Sequence, residues 1–375
     1  MGNIYTELGV RPIVNALSTY TRLGGSIMPP EVTAAMAEAS RHFVDLAELQ
    51  QAVGRRIAEL THNEAAYVSS GAAAGLVIAT AACIAGADPA AIRQLPDLTG
   101  LKNEVVVHKA HRNGYDHAVR SVGVKLVEIG SALHTARWEM EAAITERTAL
   151  AFWTQAGMTG KGDLPLETFI EVAHAHGVPV LVDAAAQLPP VENLWRFTQM
   201  GADLVVFSGG KDLHGPQSSG LILGRKDLIA ACALHGNPNG GICRPMKVGK
   251  EEMVGILAAV QWYLGLDHEG RAARHEQMVA EWCAALNRIP GVRAERSFPN
   301  GAGQPVPRAR VTLDAAQVGL NAEEVVERLL NGDPSIAVVP DGPDSFYLNP
   351  YTLHEGEEQI VLQHVSALLA ARQPA

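Results

Sequence analysis

The sequence has 375 residues, and none of its apolar stretches is long enough to cross a bilayer. It has no surplus of basic charge: 30 Lys and Arg stand against 40 Asp and Glu, a formal net charge of −10. Nucleic-acid binding depends on clustered Lys and Arg, and no basic run is present, so neither tRNA nor another nucleic acid is expected as a partner. The opening Met1-Gly2-Asn3-Ile4-Tyr5-Thr6-Glu7 lacks the charge and apolar core of a signal peptide. Cysteines are few. Cys83, Cys232, Cys243 and Cys283 show no metal-ligand spacing, so reduced thiols and a cytoplasmic location are expected. His174 and His176 come nearest to a metal pair, but they fall in one helical stretch, and residues two apart do not share a helix face. No metal, internal repeat or low-complexity tract is expected.

What the sequence does hold is apolar content of 47 %, much of it Ala, which suits helices packed closely on a sheet. Strand patterns fall near 65–68, 104–107, 124–128, 149–153, 179–183, 203–207 and 220–223. Helical patterns cover 31–60, 71–86, 112–121, 138–145, 165–176 and 190–200, with 87–103 as an insertion or rim. Such alternation predicts an α/β fold with a large, mainly parallel sheet and helices on both faces. Ligands of such a sheet sit beyond the carboxyl ends of the strands. A further helical stretch, 250–285, is expected to bridge domains, and a second α/β pattern follows Pro290-Gly291. The expected division is an N-terminal arm at 1–30, a large domain at 31–255, and a bridging helix with a small C-terminal domain at 256–375.

Four strand ends carry the chemistry. Val205-Val206-Phe207-Ser208-Gly209-Gly210-Lys211-Asp212 runs from an apolar strand into small residues and a lysine. Some thirty residues earlier, Pro179-Val180-Leu181-Val182-Asp183 ends another apolar run in a carboxylate. A lysine amine can condense with the aldehyde of pyridoxal phosphate (PLP) as a Schiff base, while the aspartate pairs with the protonated pyridine nitrogen. Taken singly, each residue reads as a solvated loop lysine or a turn aspartate; their order and spacing favour the cofactor. The third strand end, Ala66-Tyr67-Val68-Ser69-Ser70-Gly71-Ala72-Ala73-Ala74-Gly75, turns through small residues into an alanine-rich helix. The free N–H groups of that helix suit a phosphate, with Ser70, Gly71 and Ala72 in the loop and Ser208 adding a hydroxyl. After the strand 104–107, His111 is placed to lie flat on the pyridine ring, and strand alternation from Asp183 brings the Ala185 methyl to its other face.

These elements resemble fold-type I PLP enzymes, and more narrowly the selenocysteine synthase-like group that includes D-glucosaminate-6-phosphate ammonia lyase. The resemblance extends to Arg11-Pro12-Ile13-Val14-Asn15-Ala16, Thr21-Arg22-Leu23-Gly24-Gly25, Gly210-Lys211-Asp212-Leu213-His214-Gly215-Pro216-Gln217 and Arg244-Pro245-Met246-Lys247-Val248-Gly249-Lys250. It departs from cysteine desulfurase-like members three residues after the aspartate, where Ala186 stands and Gln187 follows. The resemblance implies a lyase that removes the Cα proton of a small amino acid or amino sugar acid and eliminates a β-substituent. Lys211 would be the base, with His111 or His214 assisting the leaving group. Arg310, Arg308 and Arg22 are candidates for the substrate carboxylate, since arginine binds carboxylates bidentately. A homodimer or higher even oligomer is implied, with Arg244 and Lys247 serving a neighbour's cofactor phosphate. The alternatives are another PLP reaction (an aminotransferase, racemase, aldolase, or selenium or sulfur transferase) and a non-enzymatic PLP-binding protein.

Overall fold

The structure is a computed structural model that describes residues 4–131, 133–157 and 162–371. They divide into two compact units: Ser26–Leu266, and the N-terminal stretch through Gly25 together with the chain from Asp267 onward. The first eight strands are β1 (Ile13–Ala16), β2 (Ala65–Ser69), β3 (Glu104–His108), β4 (Lys125–Ile129), β5 (Thr148–Thr154), β6 (Val180–Asp183), β7 (Leu204–Ser208) and β8 (Gly220–Gly224). The last four are β9 (Val292–Ser297), β10 (Arg308–Leu313), β11 (Ser335–Pro340) and β12 (Ser345–Leu348).

The larger unit holds a seven-stranded sheet in the order β2-β8-β7-β6-β5-β3-β4. From β7 to β4 neighbouring strands are parallel; β8 runs antiparallel to both β7 and β2. All seven strands were legible, six of them as largely apolar runs buried between helices on both faces, while the edge strand β4 exposes Lys125 and Glu128. Side chains alternate between the two cores. Leu150, Phe152, Leu181, Leu204 and Val206 pack with the helix Ala72–Ala85. Ala151, Trp153, Val180, Val182, Val205 and Phe207 pack on the opposite face with Phe169, Ile256 and Tyr263.

The predicted helix 31–60 is two helices, Pro30–Ala39 and Leu46–Leu60; Asp45 caps the second by accepting the Glu48 N–H at 2.9 Å. Residues 87–103 are more than a rim. A short helix, Pro89–Gln94, buries Ala91 and Ile92, and Leu95 beside it joins the same core. The helix Lys250–Leu264 packs on the helices Pro30–Ala39 and Leu46–Leu60 and buries Met253, Ile256, Ala259, Val260 and Tyr263. The break between units therefore falls after Leu266, later than the expected 255. The helix Lys226–His235 and β1 were not foreseen.

The smaller unit holds a five-stranded sheet in the order β1-β11-β12-β10-β9. β1 pairs in parallel with β11, so this part of the N-terminal stretch is a strand of the smaller unit.

At the amino end of the larger sheet, Asp203 fastens β6 to β7. Its carboxylate accepts the Val180 N–H at 2.7 Å and an Arg225 N–H at 2.7 Å, and lies 2.8 Å from His174 Nε2. The Asp203 side chain is 3 % exposed, so its loss leaves the buried Val180 N–H without its acceptor. Asp203→Ala is expected to cost about 1–3 kcal/mol, read as a lower midpoint in thermal unfolding. An unchanged midpoint would mean that these bonds contribute no net stability.

Candidate active site

Strand alternation assembles the site. β5, β6 and β7 end side by side, with Thr154 level with Asp183, and Asp183 level with Val206. Thr154 shares the parity of Phe152, Asp183 that of Leu181, and Ser208 that of Val206. All three therefore project to the face covered by the helix Ala72–Ala85. Ser69, Gly220 and Ser208 form a second row across β2, β8 and β7.

The N-terminus of that helix opens on the same edge. Gly71 has φ +125°, a conformation that L side chains rarely adopt. Ser69 Oγ donates to the Gly71 carbonyl at 2.9 Å, and the Gly75 N–H closes the first helical turn onto that carbonyl at 2.9 Å. The amides before Gly75 have no partner within the helix, the first turn carries no acidic side chain, and residues 70–74 remain accessible. Gly220 lies directly beneath this loop. A Cβ there would stand 2.6 Å from the Gly71 carbonyl carbon and 2.8 Å from the Ala72 nitrogen. The result is a backbone cradle for an anion, with the helix dipole in support.

Lys211 leaves β7 through a tight turn. The Gly209 N–H donates to the Ser219 carbonyl at 2.9 Å, and the Gly210 carbonyl accepts the Ser26 N–H at 3.0 Å and its hydroxyl at 3.1 Å. Among the described residues no hydrogen bond or ion pair holds the Lys211 amine. Burial pushes that amine below its ordinary pKa, opposed by the charge of Asp183. Burial likewise pushes the Asp183 carboxyl above its ordinary value, opposed by the Ala185 N–H, which donates to Asp183 Oδ1 at 3.0 Å, and by the Lys211 charge. Each group thus feels the other without a direct ion pair. Ala185 is half-buried beside Asp183, while Ala184 lies in the core.

His111 is a correction. The expected ring-stacking side chain is 0 % exposed and packs at 4.5 Å, edge to face, on Trp153. Trp153 belongs to the core on the opposite face of the sheet from Asp183. The reason is pairing: His111 Nε2 lies 3.0 Å from the buried Asp163 carboxylate, and Nδ1 accepts the Thr154 N–H at 3.4 Å. No ring face is open, so the leaving-group role assigned to His111 falls with the stacking role. His214 is a turn residue. It has φ +53°, its N–H donates to the Lys211 carbonyl at 3.0 Å, and its Nδ1 lies 2.9 Å from the Ile27 carbonyl. Gln187 donates to the Gln155 carbonyl at 3.0 Å. Thr154, unflagged from sequence, is 6 % exposed, and among the described residues its hydroxyl has no partner, on the face that carries Asp183. Strand parity was the signal that would have found it.

The candidate arginines lie in the smaller unit and differ sharply. Arg308 and Arg310 share one face of β10, as alternation requires. Arg310 Nε donates to Asp341 at 2.7 Å, and the Arg310 guanidinium stands 3.7 Å from Glu295. Arg308 is 8 % exposed, stacks 3.9 Å over the Tyr347 ring, and has no partner for its Nε among the described residues. Arg22 is exposed. Arg244 and Lys247 are exposed on the larger unit.

The larger unit therefore offers an uncommitted amine, a buried carboxylate and an anion cradle on one edge of one sheet face. That set fits an anionic aldehyde with a basic ring nitrogen. Among the described residues no cluster suits a metal ion, and no helix is long and apolar enough to cross a membrane.

Comparison with known proteins agrees with this geometry. The chain is 37 % identical to D-glucosaminate-6-phosphate ammonia lyase of Salmonella typhimurium, over 99 % of this chain and 96 % of that one. A solved structure of D-glucosaminate-6-phosphate ammonia-lyase superposes with a TM-score of 0.86 at 36 % identity, covering 98 % of both chains. The chain is also 38 % identical to 5'-C-glycyluridine monooxygenase-decarboxylase of a Streptomyces species, over 95 % of this chain and 86 % of that one. Serine palmitoyltransferase from S. paucimobilis, 16 % identical at a TM-score of 0.57 over 94 % of this chain and 86 % of that one, shares the fold, that of fold-type I PLP enzymes. The family model described as L-seryl-tRNA selenium transferase matches residues 14–297, and the chain belongs to that family.

Proposed function

We propose that the chain is a PLP-dependent lyase. It deprotonates Cα of a small amino acid or amino sugar acid and eliminates a β-substituent, releasing ammonia. The observation that carries this reading is the convergence of Lys211 and Asp183 on the edge where the helix Ala72–Ala85 opens. Bound PLP supplies an electron sink for the carbanion at Cα. The residues do the rest. Burial keeps a fraction of the Lys211 amine neutral, able to bond the cofactor aldehyde and later to take the Cα proton. The Asp183 carboxylate holds a proton on the pyridine nitrogen, since an opposite charge favours the charged form. The amides at Gly71 and Ala72, with the Ser70 and Ser208 hydroxyls, hold the phosphate. Arg308, with its unpartnered donor, is our assignment for the substrate carboxylate.

Identity alone does not separate the two relatives near 38 %. Coverage supports the lyase, whose sequence is matched over 96 % of its length against 86 % for the monooxygenase-decarboxylase. We also assign a homodimer or higher even oligomer, with the exposed Arg244 and Lys247 beside a neighbour's cofactor phosphate.

Borohydride reduction is expected to fix PLP on Lys211, located by peptide mass spectrometry; an adduct on another lysine would falsify the assignment. Amino sugar acids should then release ammonia and a 2-oxo acid over many turnovers without a keto-acid acceptor. Dependence on an acceptor would indicate an aminotransferase. Oxygen uptake with loss of carbon dioxide would indicate the chemistry named for the Streptomyces relative.

Gly220→Ala forces a methyl into the backbone of the phosphate loop. It should lower stability by about 1–3 kcal/mol and weaken PLP binding in absorbance titrations while leaving the Lys211 adduct possible. Unchanged affinity would place the phosphate elsewhere. For assembly, light scattering should report an even oligomer, and a fully active monomer is the contrary result.

A further inference from the structure

His111 has no task in this scheme, yet it is fastened at both ring nitrogens inside the protein. Because Nδ1 accepts the Thr154 N–H at 3.4 Å, a neutral ring carries its proton on Nε2 and donates it to Asp163 at 3.0 Å. Burial lowers the His111 pKa, so the neutral ring is the form present around neutrality. The amide it holds is a particular one. Thr154 ends β5 and is level with Asp183, and the next amide, Gln155 N–H, donates to the Asp183 carbonyl at 2.9 Å. Gln187 then donates to the Gln155 carbonyl at 3.0 Å. The end of β5 is thus tied from one sheet face by His111, while the Thr154 hydroxyl and Asp183 carboxylate stand on the other.

We propose that His111 and Asp163 are positioning residues. The pair locks the end of β5 from beneath and thereby fixes Thr154 and Asp183 where the cofactor ring is held. The inference rests on the reading of Asp183 given above. Its test separates the two, because the main readout needs no cofactor.

Two substitutions divide the roles. His111→Phe keeps an aromatic ring of similar bulk and loses both hydrogen bonds. His111→Gln keeps an acceptor for the Thr154 N–H and a donor for Asp163. In the purified full chain, amide exchange at Thr154 and Gln155 should quicken about tenfold or more in His111→Phe and stay within about threefold in His111→Gln. PLP affinity should follow the same order. If exchange behaves so while the wild type takes up no PLP, the strut stands and the lyase reading fails. A Phe variant with wild-type exchange and affinity overturns the proposal in favour of a stacking ring. Equal losses in both variants overturn it in favour of bulk packing. If His111→Phe does not fold, 15N-histidine spectra of the unmodified protein decide: Nδ1 unprotonated supports the strut, and Nδ1 protonated overturns it.

Discussion

The burial of both faces of the seven-stranded sheet is the constraint on which the rest depends. Side chains of a strand alternate with period two, so a one-residue slip exchanges its faces. In β6 a slip would carry Leu181 into the space of Val182 and turn the Asp183 carboxylate away from the helix Ala72–Ala85. Each misplaced Leu or Val forfeits up to about 1.5–3 kcal/mol of burial, and three strands contribute such residues around the site. The register that packs the core is the same register that aligns Thr154, Asp183 and Ser208. Stability and site geometry are one requirement here.

The electrostatics follow from where that alignment falls. The carboxyl edge is deep enough that burial disfavours charge on both Lys211 and Asp183, and each charge partly offsets the penalty on the other. Among the described residues no hydrogen bond holds the amine, and the carboxylate accepts the Ala185 N–H. The anion cradle completes the set with backbone, not side-chain, charge. Its position depends on two glycines, Gly71 for its dihedral and Gly220 for the space beneath the loop.

The family contains proteins of different names on this scaffold. The elements common to a PLP scaffold are backbone turns and strand ends. Within the smaller unit, the contrast between Arg308 and Arg310 shows how two like residues on one strand face diverge. Arg310 is already neutralised by Asp341 and Glu295, whereas Arg308 is stacked, buried and one partner short.

The strands of the larger sheet were legible in the sequence, and so was the placing of the Ser69–Ala72 loop, Asp183 and Lys211 at strand ends. Each depends on a local signal: a continuous apolar run, a cluster of small residues, a charge at the end of a strand. Those signals survive folding because both sheet faces are buried and ligands meet parallel sheets at one edge. The role of His111 was not legible. Its neighbours in sequence are a strand end and a polar turn, which read equally well as facing a cofactor. Only folding brings Asp163, 52 residues away, to its Nε2 and the Thr154 amide to its Nδ1, drawing the ring beneath the sheet. The same holds for β1, which pairs with β11 across more than three hundred residues, and for the burial that distinguishes Arg308 from Arg310. Periodicity and composition report what a segment is; the partners that satisfy its hydrogen bonds and charges come from distant parts of the chain, and only the tertiary structure decides them.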